Sequence, residues 1–296
     1  MNLFSKKVYI TCALSVFCYM GRAQVVIDCD SALNQTINCC KVPQQTNNCV
    51  TTAQYLPKNI TMRQCLWGIG QGSLLDSYLS PLTYSGTDFS LLYLTERPAH
   101  WGKEKVSVKS HYNIHTCYAK SPTDDGKAFD MELSALGGWH YNWHFAAWRI
   151  ALGGLFEGSG GFTYNTRNGN NPVQARLGAS FLASTIVSYQ FNFFKRKATA
   201  SLEMNAQIMG VQFSPTYGQS YYEIFSLGHT NGIIHFTHPA NCPTEQLLAT
   251  LTLPIKHANI TMGYMADIRQ SKLGGLKRHA WRNSFMIGYT RQFKRL

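Results

Sequence analysis

Between Val173 and Phe193 the chain alternates without a break, and this stretch limits the possible folds more than any other feature. One face carries Val173, Ala175, Leu177, Ala179, Phe181, Ala183, Val187, Tyr189, Phe191 and Phe193; the other carries Gln174, Arg176, Gly178, Ser180, Ser184, Ser188, Gln190 and Asn192. A period of two is that of a two-faced β-strand. It recurs in Ala198 to Ile208, in Phe129 to His140, in Ile260 to Ile268 and in Trp281 to Phe293. Strands of soluble sheets usually run about five or six residues, whereas ten or more with one apolar face suit a barrel that crosses a membrane.

Composition narrows the choice. With 45% apolar residues over 296 positions the chain can bury or present a large apolar surface, which excludes a disordered tail. No run of eighteen uncharged apolar residues occurs, which excludes a helical membrane protein. A secreted soluble barrel or sandwich would alternate identically, with its apolar face inward. Connection lengths favour the membrane barrel. Tight turns are expected at Lys256, Phe194 to Lys197, His140 to Trp143 and Arg97 to Lys103, and longer connections at Ser214 to Glu245, Leu155 to Pro172 and Ala119 to Gly126. Trp101, Trp139, Tyr141, Trp143, Tyr189, Phe193, Phe194, Tyr289 and Phe293 fall near the short turns or the chain end, as an interfacial girdle would. The expected fold is all-β: an antiparallel up-and-down transmembrane barrel of about ten strands (10–12). Its first strand lies between about Met62 and Tyr78 and is weakened by Gly68, Gly70 and Gly72.

Residues 1–23 read as a secretory signal. Lys6 and Lys7 precede the apolar Val8 to Met20, and Gly21-Arg22-Ala23 places a small residue before Gln24. Residues 24–60 form a polar segment holding Cys29, Cys39, Cys40 and Cys49, which in an oxidising compartment are disulfide candidates. Their spacing matches no zinc pattern and no histidine accompanies them. The barrel is assigned to 61–296. Loss of Lys6, Lys7 and Arg22 reduces the formal charge from +12 to +9. Much of that charge lies near the short turns, in Arg97, Lys103, Lys195, Arg196, Lys197, Lys256, Lys294 and Arg295, and in Lys272, Lys277 and Arg278 of an expected long loop. Such rims suit anionic headgroups rather than nucleic acid.

The signal ending at Ala23-Gln24, the entry segment Tyr55 to Gly72 (YLPKNITMRQCLWGIGQG), Ile268-Arg269-Gln270-Ser271-Lys272 and the terminal Ser284 to Phe293 strand resemble a Bacteroidetes family of uncharacterised outer-membrane β-barrel proteins, a domain of unknown function. The resemblance covers nearly the whole mature chain. It implies a cell outer-membrane location and a barrel shape, and carries over no catalytic residue.

With the apolar faces toward lipid, the polar faces line the lumen. Lys105, Lys109, Arg149, Arg176 and Arg282 would stand there against Asp130, Glu132, Glu203 and Asp267, a nearly balanced set that implies mutual pairing. Ten strands leave a filled or narrow lumen, so a wide porin is disfavoured. His111, His115 and Cys117 share a strand face, but the histidines would lie ~13 Å apart, too far to share one ion, so no metal is expected. No cofactor motif is present: there is no P-loop, G-x-S-x-G elbow or H-E-x-x-H. The functional expectation is a structural, binding or narrow-transport role, with outer-membrane lipid as partner and the long loops open to an extracellular ligand or protein. The enzymatic alternative is a phospholipase-like lipid hydrolase using Ser226, His229 and Asn231 of the Ser214 to Glu245 loop, which also holds His235 and His238.

Overall fold

The computed structural model describes residues 60–102, 105–194, 196–255 and 258–294. The signal segment and Cys29, Cys39, Cys40 and Cys49 lie outside the described residues. The strands are β1 (Ile60–Asp76), β2 (Ser80–Pro98), β3 (Val106–Lys120), β4 (Lys127–Phe145), β5 (Trp148–Asn165), β6 (Val173–Phe193), β7 (Arg196–Phe213), β8 (Ile234–Thr237), β9 (Thr244–Ile255), β10 (Ala258–Leu273) and β11 (Leu276–Lys294). One short helix, α1 (Tyr221–Phe225), lies between β7 and β8.

Each strand pairs antiparallel with its sequence neighbour, and β1 pairs with β11 from Ile60↔Lys294 to Asp76↔Arg278, which closes a ten-stranded barrel. The short β8 completes one stave: it pairs with Gly210 to Phe213 of β7, beyond the Thr199 to Ala206 stretch that pairs with β9. Closure leaves every stave with a hydrogen-bonded neighbour on both sides over most of its length. Both Ile60 and Lys294 lie at one end, called here the terminal end; the 214–243 connection lies at the other, the loop end.

The barrel carries an apolar belt outside, and many of its charged side chains point inside. Along the β11–β1–β2 seam, the outward row Ile287, Trp67, Leu91 is flanked by the rows Tyr289, Cys65, Tyr93 and Phe285, Ile69, Phe89. Trp67 is 62% exposed and Phe285 58%. Polar rows bound this belt: Arg291, Arg63 and Thr95 toward the terminal end, Asn283, Gln71 and Thr87 toward the loop end. Arg63 lies over the Phe293 ring at 5.1 Å, and Arg291 over the Tyr289 ring at 5.5 Å. From Arg63 to Gln71 the chain advances roughly 26 Å at ~3.3 Å per residue, or about 20 Å along the axis at a ~40° tilt, near the ~25 Å apolar band of outer-membrane barrels. Beyond Gln71 the outward face turns polar at Ser73 and Ser85, so these staves project past the belt.

Several connections differ from the sequence reading. The tight turn expected at His140 to Trp143 lies at 146–147, because His140 and Asn142 inward and Tyr141 and Trp143 outward continue the alternation to Phe145. Ala146 takes φ +49 in that turn. Most of Leu155 to Pro172 is strand: Glu157, Thr163 and Asn165 are buried inward while Phe156, Phe162 and Tyr164 face out, and the interspersed glycines hide the period. No long loop separates β10 from β11. Residues 268–273 are strand, and Gly274 (φ +55) with Gly275 (φ +81) makes a two-residue hairpin turn. The connection 77–79 is only one residue longer, and 99–105 at the terminal end is longer than either. Loop length is therefore sorted by end chiefly through the 214–243 connection.

Candidate functional site

The order of inward residues along the strands divides the lumen into three layers. On β2, running from the terminal end, Glu96 is followed by Leu94 and Leu92 and then by Asp88; on β10, Asn259 is followed by Met265 and then by Asp267 and Arg269. On β11, Thr290 gives way to Met286 and then to Arg282 and Arg278.

The loop-end layer is ionic. Arg282, with no exposed side-chain surface, places Nη2 2.6 Å from Asp130 Oδ2 and 2.9 Å from Glu132 Oε2, and Nη1 3.3 Å from Asp267 Oδ1. Arg176 reaches Asp130 Oδ1 at 2.6 Å and donates to Thr163 Oγ1 at 2.6 Å. Arg269 lies 2.6 Å from Glu157 and 2.9 Å from Glu132, and Arg278 lies 2.9 Å from Glu132. These contacts tie β10 and β11 to β4, β5 and β6 across the barrel interior. On the same level Asp88 Oδ2 lies 3.0 Å from His115 Nδ1 and accepts from Ser284 Oγ at 3.0 Å. Carrying charges into a barrel costs several kcal/mol per ion unless partners surround them, and here each guanidinium has two or more oxygen partners.

The middle layer is apolar. Leu66, Leu92, Leu94, Leu248, Met265 and Met286 form one inward cluster, and Leu136, Leu155 and Leu182 another. Terminal to it, Lys109 pairs with Glu203, His111 Nε2 lies 3.1 Å from Glu203 Oε1, and Arg149 pairs with Glu96 while donating to Asn142 Oδ1 at 2.8 Å. A cavity of about 730 Å³ then occupies the terminal end, walled by Gln64, Thr199, Ser201, Thr250, Thr290 and Gln292. At the loop end the space beside Arg269, Arg278 and Cys242 is about 40 Å³, room for little beyond water.

Of the expected lumen charges, Lys109, Asp130, Glu132, Arg149, Arg176, Glu203, Asp267 and Arg282 lie inside, each beside an opposite charge: Lys109 with Glu203, Arg149 with Glu96, and the rest in the Arg282 group. Lys105 does not: it is exposed in the 99–105 connection, one residue before β3 begins, where its carbonyl accepts from the Asn142 N–H at 2.7 Å. Asp76, Asp88, Glu96, Glu157, Arg269 and Arg278 belong to the lumen and were not singled out by the sequence; Arg278 points inward rather than lying on a loop rim. All sit at the inward parity of their strands, which is the signal that identifies them. With them included, inward carboxylates outnumber inward ammonium and guanidinium groups. His111 and His115 are held by Glu203 and Asp88, and Cys65, Cys117 and Cys242 are free thiols.

Ser226, His229 and Asn231 are exposed on the 214–243 connection. Ser226 caps α1, its N–H donating to Tyr222 O at 2.8 Å, while the His229 N–H donates to Glu223 O at 3.0 Å. Among the described residues no hydrogen bond joins the three side chains, so no nucleophile and base are aligned.

A closed ten-stranded antiparallel barrel, apolar outside and ion-paired inside, defines the outer-membrane type of β-barrel. The chain belongs to the family described as Protein of unknown function (DUF3316), matched over residues 35–296. No curated protein matches it. Among solved structures it is similar to the outer membrane protease OmpT from Escherichia coli, at 8% identity and TM-score 0.46, covering 81% of this chain and 98% of that one. It is also similar to Ail, the attachment invasion locus protein of Yersinia pestis, at 12% identity and TM-score 0.29, covering 78% and 99%. The translocator domain of the autotransporter NalP from Neisseria meningitidis matches at 11% identity and TM-score 0.37, covering 79% and 88%.

Proposed function

We propose that this protein is a sealed barrel of the outer membrane of a Bacteroidetes cell, with its loop end outside and a structural or binding role rather than that of a general pore. The observation that carries the reading is the contact of Arg282 with Asp130, Glu132 and Asp267, which spans the lumen directly above a layer of inward leucines and methionines. A solute would have to part both layers. The loop end faces outward in this reading because the long 214–243 connection leaves it while Ile60 and Lys294 lie opposite, as the strand termini do in even-stranded barrels of this type. Lipid covers the belt, and the exposed 214–243 connection is the surface open to an extracellular ligand or protein.

Cell fractionation with heat-modifiable gel mobility tests the placement. The expected result is a band in the outer-membrane fraction that migrates faster unheated than boiled; recovery as a soluble periplasmic protein overturns it.

A further inference from the structure

Lys272 and Lys277 are direct cross-strand partners on the outer face of the β10–β11 hairpin. Like charges directly opposite destabilise a sheet. Both are exposed, and among the described residues neither side chain has an ion pair or hydrogen bond, including to the exposed Glu245 of neighbouring β9. The same pairing occurs once more at the loop end, between Lys120 and Lys127. There the connecting loop supplies a counter-ion, with Asp124 3.2 Å from Lys120. The Gly274-Gly275 turn has no side chain to offer.

The hairpin tip is also fixed. The two glycines hold a turn that other residues rarely adopt, and the tip is tied down on three sides: Lys277 N–H to Ser77 Oγ at 2.7 Å, Lys272 N–H to Asn241 O at 2.8 Å and Tyr217 N–H to Gly274 O at 2.8 Å. Below the lysines come the outward pairs Gln270 and His279, then Ile268 and Trp281. Four residues separate Trp281 from Lys277, about 13 Å along the strand, so the two lysines stand on the loop-end side of Trp281, which is itself paired with Ser73 just past the polar edge of the belt.

We propose that Lys272 and Lys277 form a preorganised clasp for the phosphate of an outer-leaflet lipid headgroup. The inference rests on the outer-membrane placement proposed above. A phosphate between the two ammonium groups replaces their repulsion with two charge-assisted contacts, and the rigid turn means little ordering is required on binding.

The test uses the purified full chain in detergent, titrated with bisphosphorylated lipid A, with the same lipid dephosphorylated, and with inorganic phosphate, and read by native mass spectrometry. At about 1 kcal/mol per basic residue, a Lys272→Gln/Lys277→Gln double variant should bind the phosphorylated lipid about 25-fold more weakly. Its binding of the dephosphorylated lipid should not change, and a Lys120→Gln/Lys127→Gln variant should keep wild-type affinity. Equal loss in both variants, or loss in neither, overturns the clasp, and displacement of the lipid by equimolar inorganic phosphate overturns the lipid as its ligand. Cell fractionation separates these failures from failure of the placement, since a barrel that is recovered folded in the outer membrane but does not bind lipid A contradicts the clasp alone.

Discussion

Arg282 and Asp130 are 152 residues apart in the chain, yet their side chains meet at 2.6 Å inside the barrel, joining β11 to β4. Glu132 and Asp267 share the same guanidinium, so one cation holds three carboxylates that would otherwise repel one another.

Removing that cation should therefore cost more than removing an anion. Arg282→Met leaves Asp130, Glu132 and Asp267 with less compensation and should lower stability by about 3–5 kcal/mol. Adding Asp130→Asn should restore part of the loss, because the contacts couple. Urea midpoints in detergent, followed by the heat-modifiable band, check this; an unchanged midpoint for Arg282→Met contradicts the network.

The outer face gives a second contrast. Trp67 lies in the middle row of the apolar belt, whereas Ser85 lies beyond its polar edge at Gln71 and Thr87. Trp67→Arg should destabilise the barrel in lipid by about 2–4 kcal/mol, and Ser85→Arg by no more than about 0.5 kcal/mol. Equal effects on unfolding in vesicles would mean that the belt is not in contact with lipid.

Closure depends on close approach at the β1–β11 seam. A Cβ on Gly288 would stand 1.9 Å from the Cys65 carbonyl oxygen, whereas one on Gly158 would meet nothing within 4 Å. Gly288→Ala should abolish the fast-migrating folded band, and Gly158→Ala should retain it. Loss of the band in both would point to a general glycine requirement instead.

The 214–243 connection has its own pH dependence. Hydrogen bonds from the Ser220 backbone N–H (2.7 Å) and hydroxyl (3.0 Å) hold the Glu223 carboxyl below its ordinary value of 4.5. A carboxylate whose value falls on folding contributes stability above its unfolded value, and that contribution is lost as pH falls through the folded one. The protection factor of the α1 amides, the ratio of intrinsic to observed exchange rate, should therefore fall as Glu223 is protonated at acid pH while that of β6 holds, and Glu223→Gln should flatten the dependence. A protection factor in α1 that does not vary between pH 6 and 3 contradicts the capping contact.

Much of the barrel was legible because outward and inward residues differ in polarity along a whole strand. The alternation of Val173 to Phe193 coincides with β6, and that of Phe129 to His140 lies within β4. Where glycines occupy the alternating positions, as in Gly158, Gly160 and Gly161 of β5, the period loses its contrast and strand was read as loop. The same blindness turned the Gly274-Gly275 hairpin into a long loop and placed Arg278 on a rim, although its guanidinium meets Glu132 in the lumen. Parity along one strand shows that Arg282 points inward. It does not show that Arg282 meets Asp130 and Glu132 of β4, because strand tilt and closure set that contact.

The most direct test of the sealed barrel is conductance after reconstitution into planar bilayers. A lumen crossed by the Arg282 contacts and the leucine layer should give no stepwise openings at ordinary holding potentials. Steady channel openings in the wild-type protein would contradict the seal and with it the reading of the lumen as closed.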